Sequence, residues 1–561
     1  MKVLEVRGLN VWFCDRKEEE KILKDISFSV EEGEVVGVVG QSGAGKSSLM
    51  KCLLNLLPQG TKVSHERWQV LHRSEMGIIF QNPSNYLNPV LKIGYQIEES
   101  IRIHRKITKK EARTETEKLL DLVGIREPQI CRKQYPFQLS GGMQQRVAIA
   151  MAIAAKPKLL IADEPTTALD PRIQSQVLSL LKRISQELGM AILLVTHDLG
   201  VAAALCSRLI VMEKGTILEQ GSPRELIKST KKLKHSLHKE KDQFVQIDHI
   251  SYCYKKRWGE GGTTPLHAVR DVSLEICKGE TLGIVGESGS GKTTLSRMVA
   301  GIINPTKGSI QYRDSSKGST QMVFQHPQSS MNPYLTVEKI IAEPLQIQRI
   351  DKEEIRKRVR EMLELVSLSE EDMEKYPNQF SGGQQQRIAI ARALISNPKL
   401  IICDEAVSSL DVPTQRQIIQ LLKEIQEKRQ VAYLFISHNI PLVSQISHKM
   451  AVMYRGCIVE MGDGERILEE PWHPYTKDLL DATIPEDFKR ARKWKRILIK
   501  PEPKEEHKGC PYVYQCSYAM KKCYEGIPPH FKNKEREVAC FLYEPKQGEI
   551  SGGERRITSQ I

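Results

Sequence analysis

The sequence predicts an α/β protein made of two tandem phosphate-binding domains of one kind, followed by a smaller cysteine-rich region. Three observations predict it. A short apolar strand runs into a glycine loop and a lysine twice, as Gly40-Gln-Ser-Gly-Ala-Gly-Lys46-Ser47 and as Gly286-Glu-Ser-Gly-Ser-Gly-Lys292-Thr293. A second set of landmarks repeats at a constant offset of 241 residues: Ser140 to Ser381, Glu164 to Glu405, and His197 to His438. A repeat of domain length fixes architecture ahead of any local signal. Finally, Pro157–Ala162 and AILLVTH in one copy, and Pro398–Cys403 and AYLFISH in the other, are nearly continuous in apolar residues. Strands of a parallel sheet covered on both faces read this way.

Each repeat opens with strand-like alternation, Val3–Phe13 and Phe244–Tyr254, then a second strand ending at Glu32-Gly33-Glu34 or Lys278-Gly279-Glu280. The strands VVGVVG and TLGIVG lead into the glycine loops, and helices are expected over Ser47–Leu57 and Thr293–Ile303. The resulting boundaries are 1–228 for the first domain and 243–470 for the second, joined by a short, polar, lysine-rich linker at 229–242. Residues 471–546 form the cysteine-bearing region, and the polar stretch 547–561 is expected to be a disordered tail.

The composition, 40% hydrophobic and 27% charged over 561 residues, is that of an ordinary globular protein. Apolar runs such as Val147–Ala155 reach only half of the roughly 18 residues that span a bilayer. The opening MKVLEVRGLNVWF lacks the apolar core of a signal peptide. The chain is therefore expected in the cytoplasm, with any membrane role supplied by partners. Its net charge of +14 is dispersed, with local runs at Lys228–Lys241 and Lys489–Lys500. Such dispersion fits solvated surface and linker charge, or attraction to an anionic inner leaflet, better than a concentrated nucleic-acid footprint. Eight of the twelve cysteines are scattered singly, while Cys510, Cys516, Cys523 and Cys540 crowd one segment.

The pattern G-x-x-x-x-G-K-[ST] between a strand and a helix is a phosphate cradle. Its glycines let backbone N–H groups turn inward, and the helix N-terminus adds partial positive charge. The candidate ATP-binding residues are Gly40, Ser42, Gly43, Gly45, Lys46, Ser47 and Ser48, and likewise Gly286, Ser288, Gly289, Gly291, Lys292, Thr293 and Thr294. Lys46 and Lys292 would contact the β- and γ-phosphates; Ser47 and Thr293 would offer a hydroxyl to Mg²⁺. Asp163 and Asp404 end apolar strands, where a carboxylate helps hold Mg²⁺ through water. Glu164 and Glu405 follow them as the candidate catalytic groups for a hydrolytic water, with His197 and His438 reaching the γ-phosphate.

The segments LSGGM-QQR and FSGGQ-QQR, each preceding an Asp-Glu pair behind a phosphate loop, resemble the ATP-binding cassette family across nearly all of residues 1–470. The resemblance implies a RecA-like core, a helical signature subdomain and a small antiparallel β subdomain in each half. The last should be reduced, because both halves are short between phosphate loop and Gln81 or Gln325. It makes Gln81 and Gln325 the Q-loop glutamines, additional Mg²⁺ contacts that also meet a membrane partner. Phe13 and Tyr254 take the place of the aromatic that stacks on adenine. Ser140-Gly141-Gly142 and Ser381-Gly382-Gly383 become signature loops that close over the opposite domain's ATP. Lys46 would then face Ser381 across one nucleotide and Lys292 would face Ser140 across the other, an intramolecular pair with two hydrolytic sites.

Two functions follow from that family: the energy module of a membrane importer, or a soluble tandem cassette acting on the ribosome or nucleic acid. The second class typically joins its cassettes by a long charged helix, for which Ile227–Phe244 leaves little room. Gln81-Asn-Pro…Leu87-Asn-Pro, Gln325-His-Pro…Met331-Asn-Pro and Pro471-Trp-His-Pro-Tyr-Thr-Lys-Asp-Leu-Leu resemble oligopeptide, dipeptide and nickel importers, with two usually separate ATPases fused. Ala406 departs from the proline more usual after the catalytic glutamate. The importer reading implies two transmembrane permease subunits, an extracytoplasmic binding protein, a peripheral place on the cytoplasmic membrane face, one chain per transporter and no nucleic-acid partner. The four-cysteine segment is similar to one that holds a [4Fe–4S] cluster in peptide-importer ATPases; four thiolates also suit tetrahedral zinc. Dipeptide, oligopeptide, nickel or a metal chelate remain open as cargo.

Overall fold

The computed structural model describes residues 1–15, 18–41, 43–81, 83–166, 169–226, 243–254, 266–313, 319–325, 327–408, 410–483, 508–533 and 536–544. The expected linker, both lysine runs, Ser42 and the polar tail lie outside these. The described residues fall into two units, one ending at residue 226 and one running from 243 through the cysteine-bearing region.

In the first unit, the alternating opening segment becomes β1 (Lys2–Asp15), which pairs antiparallel with β2 (Glu18–Glu31). On its other edge, β4 (Thr61–Ser64) and β5 (Arg67–Val70) bind β1 one after the other, so the antiparallel subdomain has four strands. The apolar runs become a six-stranded sheet in the order β10-β9-β3-β8-β7-β6. Its parallel part is β3 (Val35–Val39), β6 (Met76–Ile79), β7 (Leu159–Asp163), β8 (Ala191–Thr196) and β9 (Arg208–Glu213); β10 (Thr216–Gly221) closes it antiparallel to β9. All six residues of β8 are buried, as a central parallel strand covered on both faces must be.

The second unit repeats this plan. β11 (Gln243–Tyr254), β12 (Leu266–Cys277) and β14 (Lys307–Tyr312) form the antiparallel sheet. β13 (Thr281–Val285), β15 (Thr320–Val323), β16 (Leu400–Asp404), β17 (Ala432–Ser437), β18 (Lys449–Tyr454) and β19 (Cys457–Gly462) form the core sheet. Here the sheet continues: β20 (Phe531–Asn533) and β21 (Arg536–Val538) form a hairpin whose β21 pairs with β19, giving eight strands. The cysteine-bearing region is thus built onto the core sheet of the second unit.

The helices behind the phosphate loops run Lys46–Leu53 and Lys292–Val299, about a turn shorter than expected. Each ends in a left-handed residue, Asn55 (φ 53°) or Gly301 (φ 72°). The next N–H reaches back five residues, Leu56 to the Lys51 carbonyl and Ile302 to the Arg297 carbonyl, which satisfies the last carbonyls and turns the chain away. No described helix is long and apolar enough to cross a membrane.

Candidate functional sites

The two phosphate loops follow β3 and β13 and enter their helices at Gly45 (φ 96°) and Gly291 (φ 105°). These left-handed angles favour glycine, and at Gly291 a Cβ would also stand 2.1 Å from the Ala268 carbonyl oxygen. Lys46 and Lys292 are 8% and 4% exposed. Each ammonium donates to carbonyls of its own loop: Lys46 to Gly40 (2.7 Å) and Gln41 (2.8 Å), Lys292 to Gly286 (2.9 Å) and Glu287 (2.7 Å). Those bonds satisfy a buried cation.

At the ends of β7 and β16 the chain makes the same unusual turn. Glu164 (φ 45°) and Glu405 (φ 50°) are left-handed, held by N–H bonds to the Val195 and Ile436 carbonyls of the neighbouring strands. Backbone strain of this kind, over-determined by its surroundings, aims a side chain. The Gln81 amide donates to Glu164 at 2.8 Å, and His197 Nδ1 lies 2.7 Å from the other carboxylate oxygen. In the second unit Gln325 donates to Glu405 at 2.9 Å, while His438 Nδ1 stands 3.7 Å away. Each glutamate is therefore positioned between a glutamine, Gln81 or Gln325, and a histidine, His197 or His438.

The aspartates differ. Burial, reinforced by the Glu164 charge, pushes the Asp163 carboxyl up to about 6, against the pull of Lys46 and Lys51. Burial also raises Asp404, but it accepts a hydrogen bond from Ser296 (3.0 Å) and lies 3.5 Å from the Thr293 hydroxyl. Met50 stands at the Ser296 position of the first helix and brings no hydroxyl. The sequence reading missed Ser296; its signal was a hydroxyl one helical turn beyond Thr293, on the same face. The reading also missed Asp198. Burial pulls His197 down, but the bond to Glu164 and the charges of Glu164 and Asp198 outweigh it and raise its pKa. Asp198 caps the helix Leu199–Leu205 in the first unit, where Asn439 caps Ile440–Ile446 in the second.

Ser140 and Ser381 cap exposed ends of the helices Gly141–Ile153 and Gly382–Leu394, accepting from the Met143 and Gln384 N–H groups at 3.4 Å. Around Gly141 nothing lies within 4 Å of a notional Cβ, so that face stays open, whereas Gly142 packs on Ile173 and Gly383 on Thr414. The Tyr254 hydroxyl lies 3.3 Å from Thr294 Oγ1, which puts it at its phosphate loop. Phe13 is 39% exposed on β1.

Cys510, Cys516, Cys523 and Cys540 line one cavity with His473, Pro474, Tyr512 and apolar neighbours. Burial, with the nearby thiols adding to it, pushes Cys510 and Cys540 up to about 12. Among the described residues no group of three or more His, Cys, Asp or Glu side chains is placed to hold a metal ion.

The family model for ABC transporter matches residues 23–167 and 269–408, and that for the oligopeptide/dipeptide transporter C-terminal region matches 459–523. The chain belongs to the ATP-binding cassette transporter family. It is 37% identical over 577 residues to the glutathione import ATP-binding protein GsiA of Pectobacterium atrosepticum, covering 90% of this chain and 93% of the relative. The Salmonella typhimurium protein of the same name is 38% identical over 581 residues, with the same coverage. Within the ABC family, this chain is an ATP-hydrolysing subunit of an importer of the oligopeptide/dipeptide class. Among solved structures, archaeal ribosome recycling factor aABCE1, in complex with the ribosomal stalk protein aP1, superposes with a TM-score of 0.54 at 23% identity, over 77% of this chain and 84% of that one. At that identity the likeness is one of fold.

Proposed function

We propose that this chain powers import of small peptides, glutathione among them, by closing its two cassettes head to tail over two ATP molecules. The named relatives, matched through both cassettes and the C-terminal region, carry this reading and favour a peptide over nickel or a metal chelate. Lys46 would face Ser381 and Lys292 would face Ser140, each signature loop completing the other cassette's site. Two permeases and an extracytoplasmic binding protein complete the importer, with this chain on the cytoplasmic membrane face, one copy per transporter.

In each site the glutamate polarises the attacking water, and its glutamine and histidine hold it on line. Lys46 and Lys292 leave their loop carbonyls for phosphate oxygens. Ser47, Asp163 and Gln81, or Thr293, Asp404 and Gln325, would hold Mg²⁺, which would supply charge neutralisation at the phosphates. Phe13 and Tyr254 stack on adenine. A [4Fe–4S] cluster, or zinc in its place, at Cys510, Cys516, Cys523 and Cys540 rests on the likeness of that segment to the peptide-importer one; as they stand here, the four thiols line one cavity without being placed to hold a metal ion.

Glu164→Gln and Glu405→Gln should each trap an ATP-bound closed form and cut turnover by at least about a hundredfold. One substitution leaving turnover near wild type would remove the two-site claim. Cells lacking the chain should lose uptake of labelled glutathione and regain it with the wild-type chain alone; unchanged uptake would remove the substrate assignment. Iron-free, colourless protein from anaerobic purification would remove the cluster.

A further inference from the structure

The segment Trp472-His473-Pro474-Tyr475 joins the cysteine cavity to the second phosphate loop within three residues. His473 and Pro474 line the cavity. The next residue, Tyr475, is fully buried, and its hydroxyl oxygen accepts the Glu287 N–H at 3.1 Å. Glu287 is the second residue of the phosphate loop, and its carbonyl receives the Lys292 ammonium at 2.7 Å.

Both ends of the segment are fixed. The Trp472 N–H donates to Oε1 of buried Glu460 and the His473 N–H to its Oε2, both at 2.9 Å, and Arg536 donates to Oε1 at 2.8 Å. His473 is fully buried, which keeps its ring neutral, and its Nδ1 accepts the Tyr475 N–H at 3.0 Å, orienting the start of the helix Pro474–Ala482. The Tyr475 ring lies 4.4 Å from Tyr454 and 5.3 Å from Tyr512, and Tyr512 is itself a wall of the cavity. A shift of the cavity wall therefore has no soft side chain to absorb it before it reaches Tyr475.

We propose that Tyr475 is a positioning residue that ties the cysteine-lined cavity to the phosphate loop of the second cassette, so that the state of the cavity sets nucleotide affinity at that loop alone. The tie needs no particular occupant of the cavity, and stands or falls separately from cargo and cluster. The Glu287 peptide is where it acts: its N–H is fixed by Tyr475, and its carbonyl holds the lysine that must be released to phosphate.

The test uses the full chain and a fluorescent mant-ATP probe. Lys46→Ala confines strong binding to the second loop, and Lys292→Ala confines it to the first. Adding Tyr475→Phe, which keeps the ring and removes the acceptor, should weaken binding about fivefold in the Lys46→Ala chain. It should change binding less than twofold in the Lys292→Ala chain, with the melting temperature held. No loss at the second loop, or equal loss at both, would overturn the proposal. Cys540→Ser should also weaken second-loop binding, yet add nothing once Tyr475 is Phe. Additive losses, or no effect of Cys540→Ser and of Cys523→Ser made alongside it, would equally overturn it.

Discussion

The two cassettes carry the same motifs at the same spacing, yet matching positions on their last strands meet opposite surroundings. In the first, β10 closes the sheet and Glu219 is exposed. In the second, the matching Glu460 on β19 is fully buried beneath β21, bonded to Arg536 and to two backbone N–H groups. Arg536 in turn lies 4.3 Å over the Trp472 ring, which stacks on Tyr543 at 5.2 Å. A repeated fold therefore reveals specialisation where one copy buries a charge that its twin leaves in water. Here that place is the attachment of the cysteine-bearing region.

The sharpest way to break this comparison is to delete both glutamates. Glu460→Ala takes the carboxylate from a buried guanidinium, leaving it the Glu470 carbonyl and the Trp472 ring, and strands two N–H groups; it should cost about 3–5 kcal/mol, loosening the hairpin and the cysteine segment. Glu219→Ala should stay within about 0.5 kcal/mol. Denaturant unfolding with limited proteolysis reads both, and equal costs would show that the hairpin is not held through Glu460.

A second contrast lies inside the candidate ATP sites. Ser296→Ala removes the hydroxyl that Asp404 has and Asp163 lacks, and should cost about 1–2 kcal/mol in Mg²⁺-free buffer. Because burial already raises the folded pKa of Asp404, its ionisation opposes folding as pH rises through that value. The loss should accordingly be full above the folded pKa and fade as pH falls and the carboxyl protonates. A loss independent of pH would mean that Ser296 acts by packing alone.

What could be read from the sequence follows the range of the forces involved. The phosphate loops, Glu164, Glu405 and the apolar strands were legible because strand periodicity and glycine turns are local. The bonds from Gln81 to Glu164 and from Gln325 to Glu405 cross 83 and 80 residues and were legible only through the family resemblance. Arg536 reaching Glu460 was not legible by either route: β20 and β21 are three residues each, too short for a periodic signal, and a lone Glu on an edge strand reads as surface. The early helix ends carried a local sign, Asn55 and Gly301, that apolar periodicity overrode.

The smallest expected effect probes the histidines. His197 faces Glu164, Asp198 and Lys46, and its pKa is raised; the second site has Asn439 where Asp198 stands. A histidine raised on folding contributes stability that is present below its unfolded pKa, near 6.5, and lost as pH rises through the folded value. Asp198, itself raised by burial, loses stability in the same direction as it ionises. Asp198→Asn removes the Asp198 ionisation and the Asp198 contribution to the raised His197, while the Glu164 bond and charge remain, so stability should fall less steeply between pH 5.5 and 9, by under about 1 kcal/mol. Urea unfolding of the Glu164-bearing cassette at the two pH values measures it, with Asn439→Asp expected to steepen the second cassette's profile. If neither substitution alters the slope, the 2.7 Å contact at His197 and the 3.7 Å separation at His438 reflect side-chain placement without a difference in charge.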